Sequence, residues 1–328
     1  MYAKPLELPF HILQYQACLN RLDQEHPARN SLDSRYNKTM TGYRGEALIA
    51  YYLDTLPEND YFLFHNLRFE KHAQVFQIDW LILTQRFFLI LEVKHIKGKL
   101  IFESDCSQML REIDGQIDVF DDPVLQVERS EDLLSKWIES HQEAALPSES
   151  RAVITSNAQL EIRNNQNPSM KLIRKSALLK EMNQINYLHR DPVISKKNLS
   201  LISRFLLKSN HPLVLNLFSS YKELKPRDII RGVQCPDCSH FHLIRNKRSW
   251  YCPKCRHFSK DAHIAALRDY LLLFGSRITN KQCRAFLMIK SSAVAKRLLH
   301  EVCDHFDGEK KGRVYYLAKN LLISDKNR

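Results

Sequence analysis

The sequence predicts an α/β protein: a mixed sheet flanked by helices, then a small four-cysteine metal-binding module and a C-terminal α+β module. Three observations carry this. Aromatic and β-branched segments crowd residues 61–94 between helical patterns, two Cys-x-x-Cys pairs stand thirteen residues apart, and three short amphipathic helices precede a glycine-flanked strand near the C-terminus. The 328 residues suffice for about two domains. An apolar share of 44%, a charged share of 26% and a mean hydropathy of −0.39 fit a globular chain and exclude a disordered one.

The elements follow in order. Leu8, Ile12, Tyr15, Leu19 and Leu22 form a helical stripe, and a polar run from His26 to Thr41 separates it from the next element. Gly42-Tyr-Arg-Gly45-Glu46 reads as a tight entry into a helix ending before Pro57. Strands are expected at Tyr61–Phe69, Val75–Leu83, Phe87–Lys94 and Leu100–Glu103, with a hairpin turning at Asp114-Gly115. A helix over about 123–141, a strand at Arg151–Thr155 and helices near Ser176–Gln184 and Asn198–Ser209 complete the first part. Residues 222–232 read as a linker. The longest apolar stretch, Phe87–Leu91, is far short of the ~20 residues of a membrane span. The first residues lack the basic and apolar regions of a secretory leader, so a cytoplasmic protein is expected. The eight glycines include no Gly-x-Gly pair and no Gly-Lys-Ser/Thr, which excludes a dinucleotide fingerprint and a Walker A loop.

The net charge of +12 is divided unequally. Residues 1–150 carry 15 Lys+Arg against 24 Asp+Glu, and residues 151–328 carry 34 against 13, so an acidic part precedes one of charge +21. A basic C-terminal part of this size points to a polyanion, with nucleic acid, DNA above all, the leading partner.

Cys235-Pro-Asp-Cys238 and Cys252-Pro-Lys-Cys255 are spaced as a tetrahedral thiolate site requires, each turn aiming two sulfurs at one ion. This resembles a structural zinc ribbon; an iron–sulfur cluster is the alternative. Four thiolates leave no open position, so His240, His242, His257 and His263 are expected outside the ligand set. Between the pairs, Arg245, Lys247, Arg248 and Trp250 suit contact with phosphates and bases; equally, Trp250 and Tyr251 would cover the small core. Further on, Ile264, Leu267, Leu271 and Phe274 form a helix stopping at Gly275, Thr279 caps a second, and Ser291 or Ser292 a third. With the strand Val314–Leu317 these helices resemble a winged helix-turn-helix. In that reading the third helix, with Lys290, Lys296 and Arg297 outward, enters the major groove, and Lys310, Lys311 and Arg313 form a wing. Such folds also bind proteins.

In the acidic part, strand alternation puts Glu92 and Lys94 on one face, and a hairpin register in which paired residue numbers sum to 171 sets Asp79 opposite Glu92. Two carboxylates with a lysine beside them are the groups that divalent-metal hydrolysis of a phosphodiester uses, and Glu46 would add a third acidic group. A surface ion pair between Glu92 and Lys94 is the simpler alternative.

Gly42-x-x-Gly45-Glu46, Gln77-Ile78-Asp79, Glu92-Val93-Lys94 with Gly98 behind, and Asp122-Pro123-Val124-Leu125-Gln126 resemble, in order and spacing, the motifs of the nuclease-related domain family, NERD. That family is assigned to the PD-(D/E)xK restriction-endonuclease-like superfamily. The resemblance implies a restriction-endonuclease-like sheet and Mg²⁺ or Mn²⁺ held by Asp79 and Glu92. It further implies Lys94 as catalytic lysine, Glu46 as the acidic residue of the first helix and Gln126 as a site residue. Asp122 stands where the family usually has Asn. The expected organisation is a helical extension over 1–40, a nuclease-related domain over 41–228 with its motifs in 41–160, a zinc ribbon over 229–260 and a winged-helix-like module over 261–328. The function expected is metal-dependent hydrolysis of nucleic acid. The alternatives are a non-catalytic nucleic-acid-binding or regulatory protein with a degenerate nuclease fold and, behind it, a protein-interaction scaffold.

Overall fold

A computed structural model describes all residues except 58–59, 72–73, 104–106, 141–144, 164–170, 310–311 and 323–328. Lys310 and Lys311, assigned to the wing, and the end of the helix expected over 123–141 lie outside the described residues. The chain divides into two compact units, Met1–Pro9 with Asn37–Leu213 and Phe10–Tyr36 with Val214–Arg328, a partition that runs across the boundaries expected at residues 40 and 228.

The chain opens with β1 (Tyr2–Lys4), α1 (Phe10–Asn20) and α2 (Arg29–Leu53). Most of the polar run 26–41 is therefore helical, and Gly42 and Gly45 lie inside α2 instead of at its entry. Residues 29–40 contain neither Pro nor Gly, and their Ser, Thr, Asn and Asp each cost only tenths of a kcal/mol in a helix, which the buried Leu32 offsets.

The first unit continues through β2 (Phe62–Lys71), β3 (Gln74–Leu83), β4 (Phe88–Lys94), β5 (Lys99–Glu103), β6 (Gln108–Ile113), β7 (Gln116–Asp121) and α3 (Pro123–Glu139). It ends with β8 (Ser148–Ile154), β9 (Gln159–Arg163), β10 (Leu172–Arg174), α4 (Leu178–Leu188) and α5 (Lys196–Lys208). A six-stranded mixed sheet has the order β1-β2-β3-β4-β8-β10, antiparallel from β2 to β4 and parallel elsewhere; a second sheet has the order β7-β6-β5-β9. Residues 88–93 of β4 are all buried, as befits a strand covered on both faces. On one face Ile49 and Leu53 of α2 and Leu178 and Ile185 of α4 pack against Trp80, Leu89 and Leu91. On the other, Val127 and Leu134 of α3 and Ile202 of α5 pack against Phe64, Phe88 and Ile90. The β6–β7 turn uses Asp114 and Gly115 at positive φ, 51° and 74°, the geometry expected of that dipeptide.

Gly45 is where α2 comes closest to the ends of β4 and β8. A Cβ there would stand 2.4 Å from the His95 Cβ and 2.9 Å from the Thr155 Oγ1. Helix propensity alone favours Gly45→Ala by ~1 kcal/mol. The contact reverses the sign, because a Cβ cannot rotate away: the substitution is expected to destabilise by about 1–3 kcal/mol, read as a lower thermal midpoint.

In the second unit α1 and the start of α2 join α6 (Leu217–Ser220), β11 (Ile244–Asn246), β12 (Ser249–Tyr251), β13 (Phe258–Ser259) and α7 (Ala262–Phe274). Then come β14 (Arg277–Thr279), α8 (Asn280–Leu287), α9 (Ser292–Val302), β15 (Cys303–Asp307) and β16 (Val314–Leu317). Two three-stranded sheets form, β11-β12-β13 and β14-β16-β15. Leu19, Trp250, Leu267, Phe286, Leu298 and Leu317 belong to one core. Residues 222–232 are no linker: Leu224 and Ile229 are buried in that core, and the buried Arg21 donates to the Ile230 and Gly232 carbonyls at 2.9 and 3.1 Å. Arg21 also binds Asp269 of α7 at 2.7 Å. The expected caps are in place: Gly275 ends α7 at φ 88°, Thr279 and Gln282 form a capping box for α8, and Ser291 caps α9. Among the described residues, no helix is long and apolar enough to cross a membrane.

Candidate active site and four-cysteine centre

The β3–β4 register is the one expected. Pairs run from Leu83↔Phe88 to Trp80↔Leu91, and the next position along sets Asp79 opposite Glu92. There the Val93 N–H donates to the Asp79 Oδ2 at 2.8 Å. On its other side β3 pairs with β2 in one unbroken register, from His65↔Trp80 to Leu67↔Ile78; the intervening Asn66, opposite Asp79, has a left-handed φ of 52°. Asp79 thus lies mid-strand in β3, just past the last β3–β4 pair, with its buried carboxylate held by the Val93 N–H.

Glu92 and Lys94 lie on one face of β4, with Lys94 Nζ 2.6 Å from Glu92 Oε1 and 2.9 Å from Gln126 Oε1. Gln126 is aimed by its helix start: Asp122 caps α3 by accepting from the Val124 N–H at 2.8 Å, and Pro123 occupies the first turn, where a missing N–H costs nothing. Glu46, from α2, binds His65 Nε2 at 2.6 Å, and its backbone carbonyl accepts from Trp80 Nε1 at 3.0 Å. The β1 ammonium of Lys4 donates to the carbonyls of His65 and, at 2.9 Å, of Asn66.

The site is short of positive charge. Burial and the Glu46 carboxylate push Asp79 up to about 7. Burial and Asp79 push Glu92 up to about 8, against the pull of Lys94, and burial and Glu92 push Glu46 up to about 7, against Lys4. Burial and Lys4 hold His65 down to about 3, so its neutral ring donates from Nε2 to Glu46, while the buried Nδ1 has no partner among the described residues. The structure brings together all five residues expected at the site. His65 and Lys4 were not foreseen: only the β2–β3 register and the parallel docking of β1 on β2 bring them to Glu46. His95 is half-buried against α2 and bonded to Thr155 Oγ1 at 3.0 Å.

In the second unit the Sγ atoms of Cys235, Cys238, Cys252 and Cys255 all lie within 4.8 Å of one another, a group able to hold a metal ion. The Cys235–Cys255 and Cys238–Cys252 separations are both 3.6 Å. That is close to the ~3.8 Å edge of a tetrahedron with ~2.3 Å metal–sulfur bonds, and far beyond the ~2.05 Å of a disulfide. The two knuckles are built alike. The Cys235 and Cys252 N–H groups donate to the His240 and His257 carbonyls, and Ser239 and Arg256, each four residues after the first cysteine, adopt φ of 58° and 64°. His263 is buried in α7, where it accepts from Trp250 Nε1 at 3.3 Å.

Trp250 is fully buried, so it covers the ribbon core and presents no face to a base. Lys247 and Arg248 are exposed on the β11–β12 turn, as are Lys290 and, on α9, Lys296 and Arg297. Arg245 lies over the Trp250 ring, 5.0 Å from its centroid, with Nε and Nη1 buried and unpartnered among the described residues. Burial and the Arg297 charge lower the Arg245 pKa. Arg313 stacks on Phe306 at 4.2 Å and binds the Gly308 carbonyl.

Residues 41–155 match the family model of NERD, the nuclease-related domain. Neither a curated protein nor a solved structure matches the chain.

Proposed function

We propose that the chain hydrolyses phosphodiester bonds of nucleic acid, DNA above all, at a divalent-metal site in its nuclease-related domain, and that the second unit binds the substrate. The observation that carries this reading is the meeting of Asp79, Glu92, Lys94 and Gln126 where β3 and β4 part, within the segment matching the family. The donor set fits the ion: buried carboxylate oxygens that repel one another, with one ammonium between them, suit a hard cation such as Mg²⁺ or Mn²⁺. Asp79 and Glu92 would hold it, and when bound it would supply positive charge for the phosphoryl oxygens as they become more negative. Lys94, tethered by Gln126, orients the attacking water and takes up or releases its proton. Glu46, fixed by His65 and countered by Lys4, closes the acidic wall.

Four thiolates at tetrahedral spacing favour zinc in a structural role. The order of the α7–α9 helices and the β15–β16 hairpin supports a winged-helix reading, in which α9 enters the major groove. Arg245, Lys247, Arg248, Lys290, Lys296, Arg297 and Arg313 then grip phosphates by displacing counterions.

Incubation with supercoiled plasmid, linear duplex, single-stranded DNA and RNA tests the reaction. Cleavage in Mg²⁺ or Mn²⁺ and none in EDTA is expected; intact substrates throughout would leave a binding protein. Binding has its own readout. Substituting Lys296 and Arg297 by Ala together is expected to flatten the slope of log affinity against log salt by about 2, measured by anisotropy of a labelled duplex in EDTA.

A further inference from the structure

Beyond Lys94 and Ile154, β4 and β8 leave the six-stranded sheet together and pair again as β5 and β9 in the second sheet. The Thr155 N–H donates to the Lys94 carbonyl at 3.0 Å and the Gln159 N–H to the Gly98 carbonyl at 3.1 Å, so the two crossings stay in step. At this change of sheet lies a cavity of about 310 Å³, lined by His95, Lys97, Thr155, Ser156, Asn157 and Lys175 among others. Lys175 directly follows β10, so three adjacent parallel strands, β4, β8 and β10, end at the cavity. The carboxyl ends of parallel strands, where neighbouring connections part, are where open α/β sheets collect ligands.

The chemistry of the lining selects the ligand. Among the described residues, no acidic residue lines the cavity. Lys97, Asn157 and Lys175 make no side-chain hydrogen bond or ion pair among the described residues, so two ammonium groups and an amide are left to a ligand. Burial, together with the charges of Lys175 and Lys97, holds the His95 pKa below its usual value. The wall itself is fixed: Thr155 Oγ1 is bonded to His95 Nδ1 at 3.0 Å, and Ser156 Oγ donates to the Ile96 carbonyl at 2.5 Å. Among the described residues that line the cavity are none of Glu46, Asp79, Glu92, Lys94 and Gln126, so it is distinct from the carboxylate site.

We propose that this cavity binds a phosphate monoester, carried by a mononucleotide or by the phosphorylated end of a nucleic-acid strand. Two ammonium groups match a dianion, and the volume is at the lower end of small-molecule sites, about 300–1,000 Å³. The inference does not depend on hydrolysis at Asp79 and Glu92, and binding is measured in EDTA, where that reaction is silent.

The test uses the full chain and labelled single-stranded oligonucleotides of one sequence bearing a 5′-phosphate, a 3′-phosphate or only hydroxyl ends. At least tenfold tighter binding of a phosphorylated form is expected. Substituting the exposed Lys97 and the half-buried Lys175 by Ala should erase that preference while leaving affinity for the hydroxyl form unchanged. Lys94→Ala should leave the preference intact, which separates this site from the catalytic one. Competition by adenosine monophosphate would identify the free nucleotide as a ligand, and preference without competition would identify the strand end. Equal affinity for all three oligonucleotides with no binding of the nucleotide, or a preference that survives loss of both lysines, would overturn the proposal.

Discussion

Asp79→Asn and Lys94→Ala are each expected to lower metal-dependent cleavage by about 10²–10⁴-fold, and Asp79→Asn is expected at the same time to make the metal-free protein more stable. The two effects share one cause. Asp79 is buried, faces the Glu46 charge, and its carboxyl is pushed up to about 7 from an ordinary value near 4. A carboxyl whose folded pKa lies above its unfolded value weakens the fold as pH rises between the two. The penalty is absent below about pH 4 and complete above about pH 7. The amide of Asn still accepts from the Val93 N–H, so the substitution removes charge and little else. A gain of about 1–3 kcal/mol at pH 8 in EDTA, vanishing towards pH 4, is expected. Thermal denaturation at the two pH values reads it. Activity lost with stability also lost would mean that the carboxylate is a structural partner of the strand end. Activity retained would remove Asp79 from the metal site.

How much of this could be read from the sequence depended on the range of the contacts. Asp79, Glu92 and Lys94 were legible because a short hairpin fixes its own register and strand alternation does the rest. Gln126 came only through the resemblance of the Asp122–Gln126 segment to the family's motif, whereas the capping residues of α8 and α9 were local signals. The failures are non-local. Gly45 read as a turn residue, whereas its role is to let α2 approach His95 and Thr155, 50 and 110 residues away in sequence. Lys4 and His65 support Glu46 only because β1 docks beside β2. No periodicity in either segment announces this. Trp250 read equally well as a stacking platform or as core, and burial decided for core.

If the four cysteines hold zinc as proposed, its removal should unfold far more than some thirty residues around them. A structural zinc site contributes about 10–16 kcal/mol of apparent binding energy to folding, as much as the whole stability of an ordinary domain, about 5–15 kcal/mol. Cys235, Cys252 and Trp250 also belong to the same core as Leu267, Phe286 and Leu298, so losing the knuckles exposes the apolar faces of α7, α8 and α9. The hydrogen bond from Trp250 Nε1 to His263 ties the ribbon to α7 directly. Stripping the metal with a strong zinc chelator, or Cys252→Ser, is therefore expected to abolish slow amide exchange in 262–302. It should also shift Trp250 fluorescence to the red, while Trp80 and Trp137, buried in the first unit, keep their emission. Metal analysis should give about one zinc per chain beforehand. Were exchange in α7–α9 to stay slow after the metal is gone, the helices would have a core sufficient in itself. The ribbon would then be an appendage whose metal shapes only the Lys247–Arg248 turn.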